Sequence, residues 1–267
     1  MLLEGKRILV TGVLTRESIA YAIARSAQEQ GAEIVLTSFG RAMSLTEKSA
    51  KRLPAPVDVL EMDANDPGQI AAVADEVRRR WGGLDGFVHA IAFAPTDALG
   101  GNLLQTPWES VSTSLQTSVF SLKAIAAGLL PQMREAGGSI VALTFDARIA
   151  WPVYDWMGVA KAGLESLTRY LARDLGPHAI RVNTVSAGPL RTIAGKGIPG
   201  FDGITEVWSE RSPLGWDVRD ASPVGDTVAF LLSDLSRAIT GEMVHVDGGY
   251  HAMGAAPSPD EPGSEAG

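Results

Sequence analysis

Two side chains near the middle of the chain have the types and the spacing needed for acid–base chemistry. Tyr154 and Lys161 follow a Pro-containing loop and lie in a segment whose pattern predicts a helix. Positions seven apart are two helical turns apart, so the phenol and the ammonium share one face, roughly 10 Å apart along the axis. The pair could be a proton donor with its electrostatic helper, or an ordinary amphipathic pair. The surrounding elements are needed to choose between these interpretations.

The segments around this pair alternate between short apolar runs and amphipathic stretches. Runs that predict buried strands lie at 7–11, 33–38, 57–62, 84–91, 139–145, 180–185 and 243–246. Helical patterns separate most of them, including long helices predicted at 109–133 and 158–175, and this alternation predicts a parallel sheet with helices on both faces. We expect one doubly wound, Rossmann-like α/β domain of about seven strands over residues 1–254. The acidic, Pro- and Gly-rich tail at 255–267 is expected to be disordered.

Composition excludes several classes of protein. The 267 residues include no cysteine, which excludes a disulfide framework and a thiolate zinc site. The four histidines are scattered without ligand spacing, which argues against a metal, and the formal charge of -8 argues against general nucleic-acid binding. No apolar run has the length of a membrane span, and the N-terminus enters a strand pattern without a secretory signal. These features fit a cytoplasmic enzyme.

The first strand-to-helix turn has the position at which doubly wound sheets bind a dinucleotide. Gly12 closes the strand, and Ser18 and Ile19 open the helix, whose N-terminus could receive a pyrophosphate. The turn is not a GxGxxG motif, because only its first glycine is present. An ordinary turn with Ser18 as the N-cap is therefore the alternative.

The ends of the second and third strands bear on which dinucleotide is bound. An acid after the second strand would indicate a free ribose hydroxyl, and a basic cluster would indicate a 2′-phosphate. The chain instead has Phe39, which could wall off the adenosine, followed by Arg41, which leaves both cofactors open. Asp63 and Ala64 end the third strand, where an adenine could lie, although Asp63 could also merely cap the next turn.

Longer motifs resemble the short-chain dehydrogenase/reductase superfamily, and within it the NADH-dependent enoyl-(acyl carrier protein) reductases of type II fatty-acid synthesis. The matching pieces include GKRILVTG at 5–12, VHAIAFAP at 88–95, YDWMGVAK at 154–161, RVNTVSAGPLRT at 181–192 and TGEMVHVDGG at 240–249. The superfamily's usual Tyr-x3-Lys is absent, since Met157 stands four positions before Lys161. The Tyr-x6-Lys spacing is typical of the enoyl reductases. Phe145 makes the chain similar to their long-chain type, associated with mycolate synthesis.

The resemblance implies a set of contacts to NADH. The residues that it places at the cofactor are Gly12, Ser18, Ile19, Phe39, Asp63, Ala64, Ala90, Ile91, Lys161, Leu190 and Thr192. Among them, Lys161 would hydrogen-bond the nicotinamide ribose, and Leu190 would bind the carboxamide through its backbone. Ala90 departs from the family, because it replaces a serine that helps to order the pyrophosphate region. Weaker cofactor binding would follow from the loss of that hydroxyl.

The resemblance also implies an acyl site with a lid over residues 193–216. The residues that it places at the substrate are Phe145, Trp151, Tyr154, Met157, Ile198, Phe201 and Trp208. An acyl carrier protein is acidic, so a net-acidic enzyme needs a local basic patch to receive it. Arg191, Lys196 and Arg211 are the candidates. A homotetramer is expected from the resemblance alone.

Chemistry gives the two central residues distinct roles in such a reaction. Hydride addition to Cβ of a conjugated enoyl thioester builds negative charge on the carbonyl oxygen, where a hydrogen-bond donor lowers the barrier. Tyr154 would be this donor, since a phenol is neutral at pH 7, and Lys161 would add positive potential. Two alternatives stay open: a carbonyl reductase acting on 3-oxoacyl groups, and a non-catalytic sensor of NAD(H). The first would require the Tyr-x3-Lys spacing, which the chain lacks.

Overall fold

The computed structural model describes residues 1–197 and 200–254 and forms, within them, one sheet of seven parallel strands. The order across the sheet is β3-β2-β1-β4-β5-β6-β7, as the alternating pattern predicts for a doubly wound domain. The strands are β1 Arg7–Thr11, β2 Glu33–Ser38, β3 Val59–Glu61, β4 Gly86–His89, β5 Gly138–Thr144, β6 Ile180–Ala187 and β7 Met243–Val246.

Helices connect these strands and cover both faces of the sheet. The α-helices are α1 Ile19–Glu29, α2 Met43–Ala50, α3 Pro67–Trp81, α4 Trp108–Leu115, α5 Ser121–Met133, α6 Asp155–Leu175, α7 Ile193–Lys196, α8 Phe201–Arg211 and α9 Ser222–Leu232. Short 3-10 turns lie at Gly40–Ala42, Thr96–Ala98, Gly176–His178, Asp234–Ser236 and Tyr250–Ala252. No described helix is long and apolar enough to cross a membrane.

Two buried clusters sandwich the sheet, because parallel strands present apolar side chains to both sides. On one face α1 and α9 pack against each other and against alternate residues of β1, β2 and β6. On the other face α3, α5 and α6 pack against the remaining residues of the same strands, with Phe87 of β4 fully buried. The core therefore holds the carboxyl ends of the strands in one fixed row.

The order in which strands are added to the sheet reverses between β1 and β4. Strands β2 and β3 continue to one side of β1, whereas β4 pairs with its other side and starts the second half. Their connecting helices lie on opposite faces, so a crevice opens above the carboxyl ends of β1 and β4. Ligands of doubly wound proteins bind at such a switch point.

Two helices differ from the boundaries that the sequence predicts. The long helix expected at 109–133 is divided into α4 and α5 by a π-helical turn, Gln116–Phe120. The helix expected at 158–175 begins three residues earlier, at Asp155, so Tyr154 occupies its N-cap position. A π-helical turn places extra backbone in a helix and is frequent beside functional sites. Both differences lie beside the crevice.

The segment expected to be a lid contains α7 and α8. Ile198 lies outside the described residues, as does the tail at 255–267, so the predictions for both stand as they were made. The division into a domain at 1–254 and a tail likewise stays a prediction.

Candidate active site

One cavity of about 750 Å³ runs along the carboxyl ends of the strands, from β3 past the switch point to α8. Its volume is in the range of sites for small molecules and cofactors. It brings together every cofactor-contacting residue predicted from the sequence. Those eleven are Gly12, Ser18, Ile19, Phe39, Asp63, Ala64, Ala90, Ile91, Lys161, Leu190 and Thr192.

The turn after β1 is built to bring backbone close to the cavity. Gly12 has φ of 81°, which strains any residue with a Cβ, and a Cβ there would lie 2.1 Å from the Ala90 carbonyl oxygen. Ser18 occupies the N-cap position of α1, but its hydroxyl accepts from the N–H groups of Leu14 (3.2 Å) and Thr15 (3.0 Å). The hydroxyl therefore orders the turn and leaves the first N–H groups of α1 available to an anion.

The far end of the cavity is lined by the residues expected at the adenosine. Phe39 follows β2 and is half exposed, with its ring on the cavity wall. Asp63 follows β3, and its Oδ1 accepts from the N–H of Asn65 at 2.9 Å. This carboxylate therefore orders the turn, which is one of the two roles that the sequence allows. Asp63 also lines the cavity, where the other role, a contact to adenine, stays a prediction. Arg41 lies on the exposed turn after Phe39.

Tyr154 presents a protonated phenol to the opposite end of the cavity. Its side chain is buried, and its ring meets Phe145 edge-on with centroids 5.5 Å apart. Burial, and after it the charge of Glu165, raise the pKa of the phenol above its ordinary value, so it keeps its proton at neutral pH. No described residue hydrogen-bonds the hydroxyl. It is therefore free to donate to a ligand.

The backbone on either side of Tyr154 is strained and clamped. Val153 and Asp155 have φ of 58° and 41°, a region that β-branched residues rarely adopt. The Val153 carbonyl accepts from the N–H of Gly100 at 2.9 Å, and the Asp155 carboxylate accepts from the N–H of Gly101 at 2.6 Å. Such strain persists only when neighbouring residues enforce it, so the loop that contains Gly100 and Gly101 fixes the position of the phenol.

Lys161 lies two turns further along α6 and is almost fully buried. Its Nζ donates to the Leu143 carbonyl at 2.8 Å and lines the same cavity as Tyr154. Burial lowers the pKa of Lys161 to about 8, and the charge of Glu165 opposes that shift. The ammonium is thus held at a fixed point with donors left for a further partner.

Glu165 is a site residue that sequence reasoning missed. It is buried one turn after Lys161, and its Oε1 accepts from the Thr144 hydroxyl (2.7 Å) and the Ala147 N–H (3.1 Å). These bonds tie α6 to the end of β5. The available signal was its spacing of four residues from Lys161, which places both side chains on one helix face.

The residues predicted at the substrate divide into three groups. Phe145, Trp151, Tyr154 and Phe201 line the cavity. Met157 is instead buried in a small cluster with Leu99, Tyr154 and Ala160, and within the described ranges it is not among the cavity-lining residues.

Trp208 lies behind the cavity wall. Its ring packs on Phe145 (5.6 Å between centroids) and Trp151 (5.2 Å), and its Nε1 donates to the Asp247 carbonyl at 3.0 Å. A second such bond, from the Ser212 hydroxyl at 3.1 Å, fixes the end of α8 to the turn after β7. The helix therefore contacts the cavity at its start and is anchored at its end.

A polar network supports these aromatic rings, and sequence reasoning missed it as well. Arg148 donates through Nε to Asp146 at 2.9 Å, and Nε2 of His245 lies 2.8 Å from the same carboxylate. Burial would raise the pKa of Asp146, but hydrogen bonds from Arg148 and His245 outweigh it and hold the pKa well below its usual range. The described residues contain no cluster of side chains suited to hold a metal ion.

The three candidate basic residues differ in their positions. Arg191 is exposed after β6, whereas Arg211 stacks over the Tyr250 ring, 5.2 Å from its centroid, and bonds the Gly254 carbonyl. The side chain of Lys196 lies outside the described part of the chain.

Similarity to known proteins agrees with this geometry. The family model for enoyl-(acyl carrier protein) reductase matches residues 12–251. The chain belongs to this family. It is 43% identical to the enoyl-(acyl carrier protein) reductase (NADH) of Mycolicibacterium smegmatis, over 93% of this chain and 97% of that protein. The enzyme of the same name from Mycobacterium avium is 42% identical over 93% of this chain and 97% of its own length. That of Aquifex aeolicus is 41% identical over 95% and 94%.

Proposed function

We infer that the chain is an NADH-dependent enoyl-(acyl carrier protein) reductase of type II fatty-acid synthesis, which reduces the 2,3-double bond of trans-2-enoyl thioesters. The names of its relatives support this reaction. The observation that carries it is the position of Tyr154. A buried, protonated phenol without a described protein partner stands in the cavity that also contains the dinucleotide-type turn.

The residues of the cavity fit a dinucleotide. The close approach of Gly12 to Ala90 and the free N-terminus of α1 suit a pyrophosphate, and the apolar wall at Phe39 and Ala64 suits an adenosine. NADH would supply the hydride that adds to Cβ. Lys161 would hold the nicotinamide ribose through its remaining donors, and the backbone of Leu190 would hold the carboxamide. Thr192 would reach the phosphates. NADH is favoured over NADPH by the names of the relatives and by the absence of a basic cluster after β2.

Tyr154 would stabilise the enolate as charge develops on the thioester oxygen, and a proton that comes from solvent would then add to Cα to complete the reduction. The raised pKa of Tyr154 keeps the proton on the phenol, so the hydroxyl donates a hydrogen bond throughout the reaction. Phe145 packs against the phenol and would shield Cβ, where the hydride adds. Glu165 ties the end of β5 to α6 and stabilises the charged form of Lys161. Phe201 and Ile204 would contact the acyl chain from α8.

An assay of substrate preference tests this function. Purified protein is mixed with NADH and a trans-2-octenoyl thioester, and NADH consumption is followed by its absorbance. We expect steady turnover, and little with the matching 3-oxooctanoyl thioester. Turnover of the 3-oxoacyl substrate alone would establish the carbonyl reductase instead, and NADH binding without turnover of either would establish the sensor.

Acyl carrier protein and further copies of this chain are the partners that we propose. Arg191 is the exposed candidate for the carrier protein's acidic surface. Arg211, a second candidate, also contacts the Tyr250 ring and the Gly254 carbonyl. Homotetramer formation is supported by large apolar side chains exposed on α4, α6 and the π-helical turn: Trp108, Phe120, Val159 and Tyr170. Light scattering with size-exclusion chromatography would give the mass of the assembly. We propose the cytoplasm as the location, in keeping with a chain that lacks cysteine.

A further inference from the structure

A second cavity lies behind the acyl end of the first. It has a volume of about 600 Å³ and is formed between the loop after β5, the end of α8 and the segment after β7. Trp151 is the one residue, among those described, that lines both cavities. The Trp151 indole therefore forms part of the partition between them, beside the contact between Phe145 of the first cavity and Trp208 of the second.

Trp151 is held in this position from several sides. Its Nε1 donates to the Asp146 carbonyl at 2.7 Å, and its ring packs on Phe145 (4.7 Å between centroids) and Trp208 (5.2 Å). Asp146 is fixed in turn by Arg148, by His245 and by the Ser186 hydroxyl, which accepts from its N–H at 2.9 Å. The partition is therefore a fixed wall of the acyl site.

The partition also lies close to the reacting end of the substrate. Phe145 contacts both the Tyr154 phenol and the Trp151 indole, with centroids 5.5 Å and 4.7 Å away. Trp151 is thus two ring contacts from the group that would hold the thioester oxygen. A long acyl chain that extends in this direction meets the indole face.

The second cavity could hold hydrocarbon, because its charged groups already have partners. Asp146 is paired with Arg148, and Asp247 with His251 at 3.0 Å, while Arg211 covers the Tyr250 ring. The remaining walls are Ser186, whose hydroxyl accepts from the Asp146 N–H at 2.9 Å, and five aromatic or aliphatic residues: Ile149, Trp151, Trp208, Tyr250 and Met253. Buried hydrocarbon is stabilised by such walls when no polar group loses its partner.

We propose that Trp151 sets the upper limit of acyl length by closing the acyl site against the second cavity. This inference rests on the enoyl reductase function proposed above and deepens it. The preferred substrates are enoyl thioesters whose acyl chains end within the first cavity, before they reach the indole. Removal of the indole joins the two cavities and admits longer chains.

The test is a chain-length series with five proteins: wild type, Trp151→Ala, Trp151→Phe, Met253→Trp and the double variant Trp151→Ala/Met253→Trp. Each is assayed with NADH and with butenoyl, octenoyl, dodecenoyl and hexadecenoyl groups carried on an acyl carrier protein. The measured quantity is the ratio of kcat/KM for hexadecenoyl to that for octenoyl. Trp151→Phe keeps a ring at the partition and serves as the matched control for lost contacts.

We expect the ratio to rise about tenfold or more in Trp151→Ala, the gain from burying roughly two further methylene groups. In the double variant the new indole refills the second cavity, so the ratio returns towards that of wild type. Met253→Trp alone should keep the wild-type ratio, since the partition is intact. Trp151→Phe keeps a ring but loses the Nε1 hydrogen bond, so it should raise the ratio less than Trp151→Ala.

Two results would overturn the proposal, and they differ in what else they affect. An unchanged ratio in Trp151→Ala, with octenoyl turnover retained, would show that long chains leave the site elsewhere, for example along α8, and would leave the enoyl reductase function standing. A rise that persists in the double variant would mean that the second cavity is not where the chain goes. Absence of enoyl turnover in wild type would overturn this inference together with the proposed function.

Discussion

The two ends of the main cavity differ in the groups that form their walls. At the end proposed for the nucleotide, the turn after β1 brings backbone to the cavity wall, with Gly12 against Ala90 and the free N-terminus of α1. At the acyl end it is side chains: a buried phenol, a buried ammonium and a cluster of aromatic rings. A backbone wall accepts one shape of ligand and resists substitution, whereas a side-chain wall can be reshaped residue by residue. We therefore expect specificity for the acyl group to depend on the second end.

The largest effect is expected from Gly12→Ala at the nucleotide end. The added Cβ would overlap the Ala90 carbonyl, and φ is positive, so we expect a loss of about 2–5 kcal/mol in the free energy of unfolding and no measurable NADH binding. Gly82→Ala is the matched control, because φ there is 73° but no atom lies within 4 Å, and it should cost about 1–2 kcal/mol. Urea denaturation and NADH titration measure both quantities. Equal effects of the two changes would refute the close-approach argument.

Tyr154→Phe tests the acyl end alone. Removing one donor to a developing oxyanion lowers kcat about 10²–10³-fold. NADH affinity should stay within about twofold, since the phenol has no described partner in the cofactor wall. Tyr170→Phe, at an exposed position on the same helix, should match wild type. A large loss of NADH affinity in Tyr154→Phe would show that the phenol contacts the cofactor and would contradict its assignment to the acyl end.

The pH dependence of NADH affinity probes the junction of the two ends. Lys161 is charged below its pKa of about 8, and an anionic ligand favours the charged form, so affinity should fall as pH rises through this value. The slope should approach tenfold per pH unit and disappear in Lys161→Met. Glu165→Gln removes the negative charge that opposes the lowering of the Lys161 pKa. In this variant the NADH affinity should therefore begin to fall at a lower pH.

An affinity that stays constant up to about pH 10, the ordinary range of lysine, would contradict this assignment of the ammonium. If the NADH affinity of Lys161→Met still fell as the pH rose, a group other than Lys161 would be responsible for the pH dependence.

Sequence reasoning was most successful where the fold alone positions the residues. The alternation of strands and helices predicts the parallel sheet, and the carboxyl ends of parallel strands must meet at one edge. The eleven residues predicted at the cofactor consequently line one cavity in the structure. The resemblance to the family supplies this set of residues, and those among them that follow strand ends, such as Gly12, Asp63 and Ala90, stand where a sequence pattern locates them well.

What the sequence did not reveal depends on contacts between distant segments. Asp146 and His245 meet across 99 positions of the chain, and no periodic pattern records such a contact. The placement of Met157 depends on which side of α6 receives the loop carrying Leu99, and helical spacing leaves that side open. The two cavities and their shared indole were invisible for the same reason. Side-chain walls are therefore harder to derive from sequence than backbone walls.

The smallest effect is expected from Ala90→Ser, which supplies the hydroxyl that the resemblance to the family implies at this position. Ala90 lines the nucleotide end, and its N–H already donates to the Thr11 hydroxyl at 3.0 Å, so the turn is ordered without a serine. One added hydrogen bond should tighten NADH binding by up to about fivefold. Titration of the two proteins at one pH measures this. Weaker binding in the serine variant would show that the turn is adapted to alanine.

The most direct test of the account follows the hydride itself. Wild-type protein converts trans-2-octenoyl thioester in the presence of NADH deuterated at the reactive position of the nicotinamide, and the product is examined by mass spectrometry and NMR. We expect one deuterium on Cβ of a saturated octanoyl thioester, formed at a rate that Tyr154→Phe lowers about 10²–10³-fold. Recovery of unlabelled product, or deuterium on a carbinol carbon derived from a 3-oxoacyl thioester alone, would contradict it.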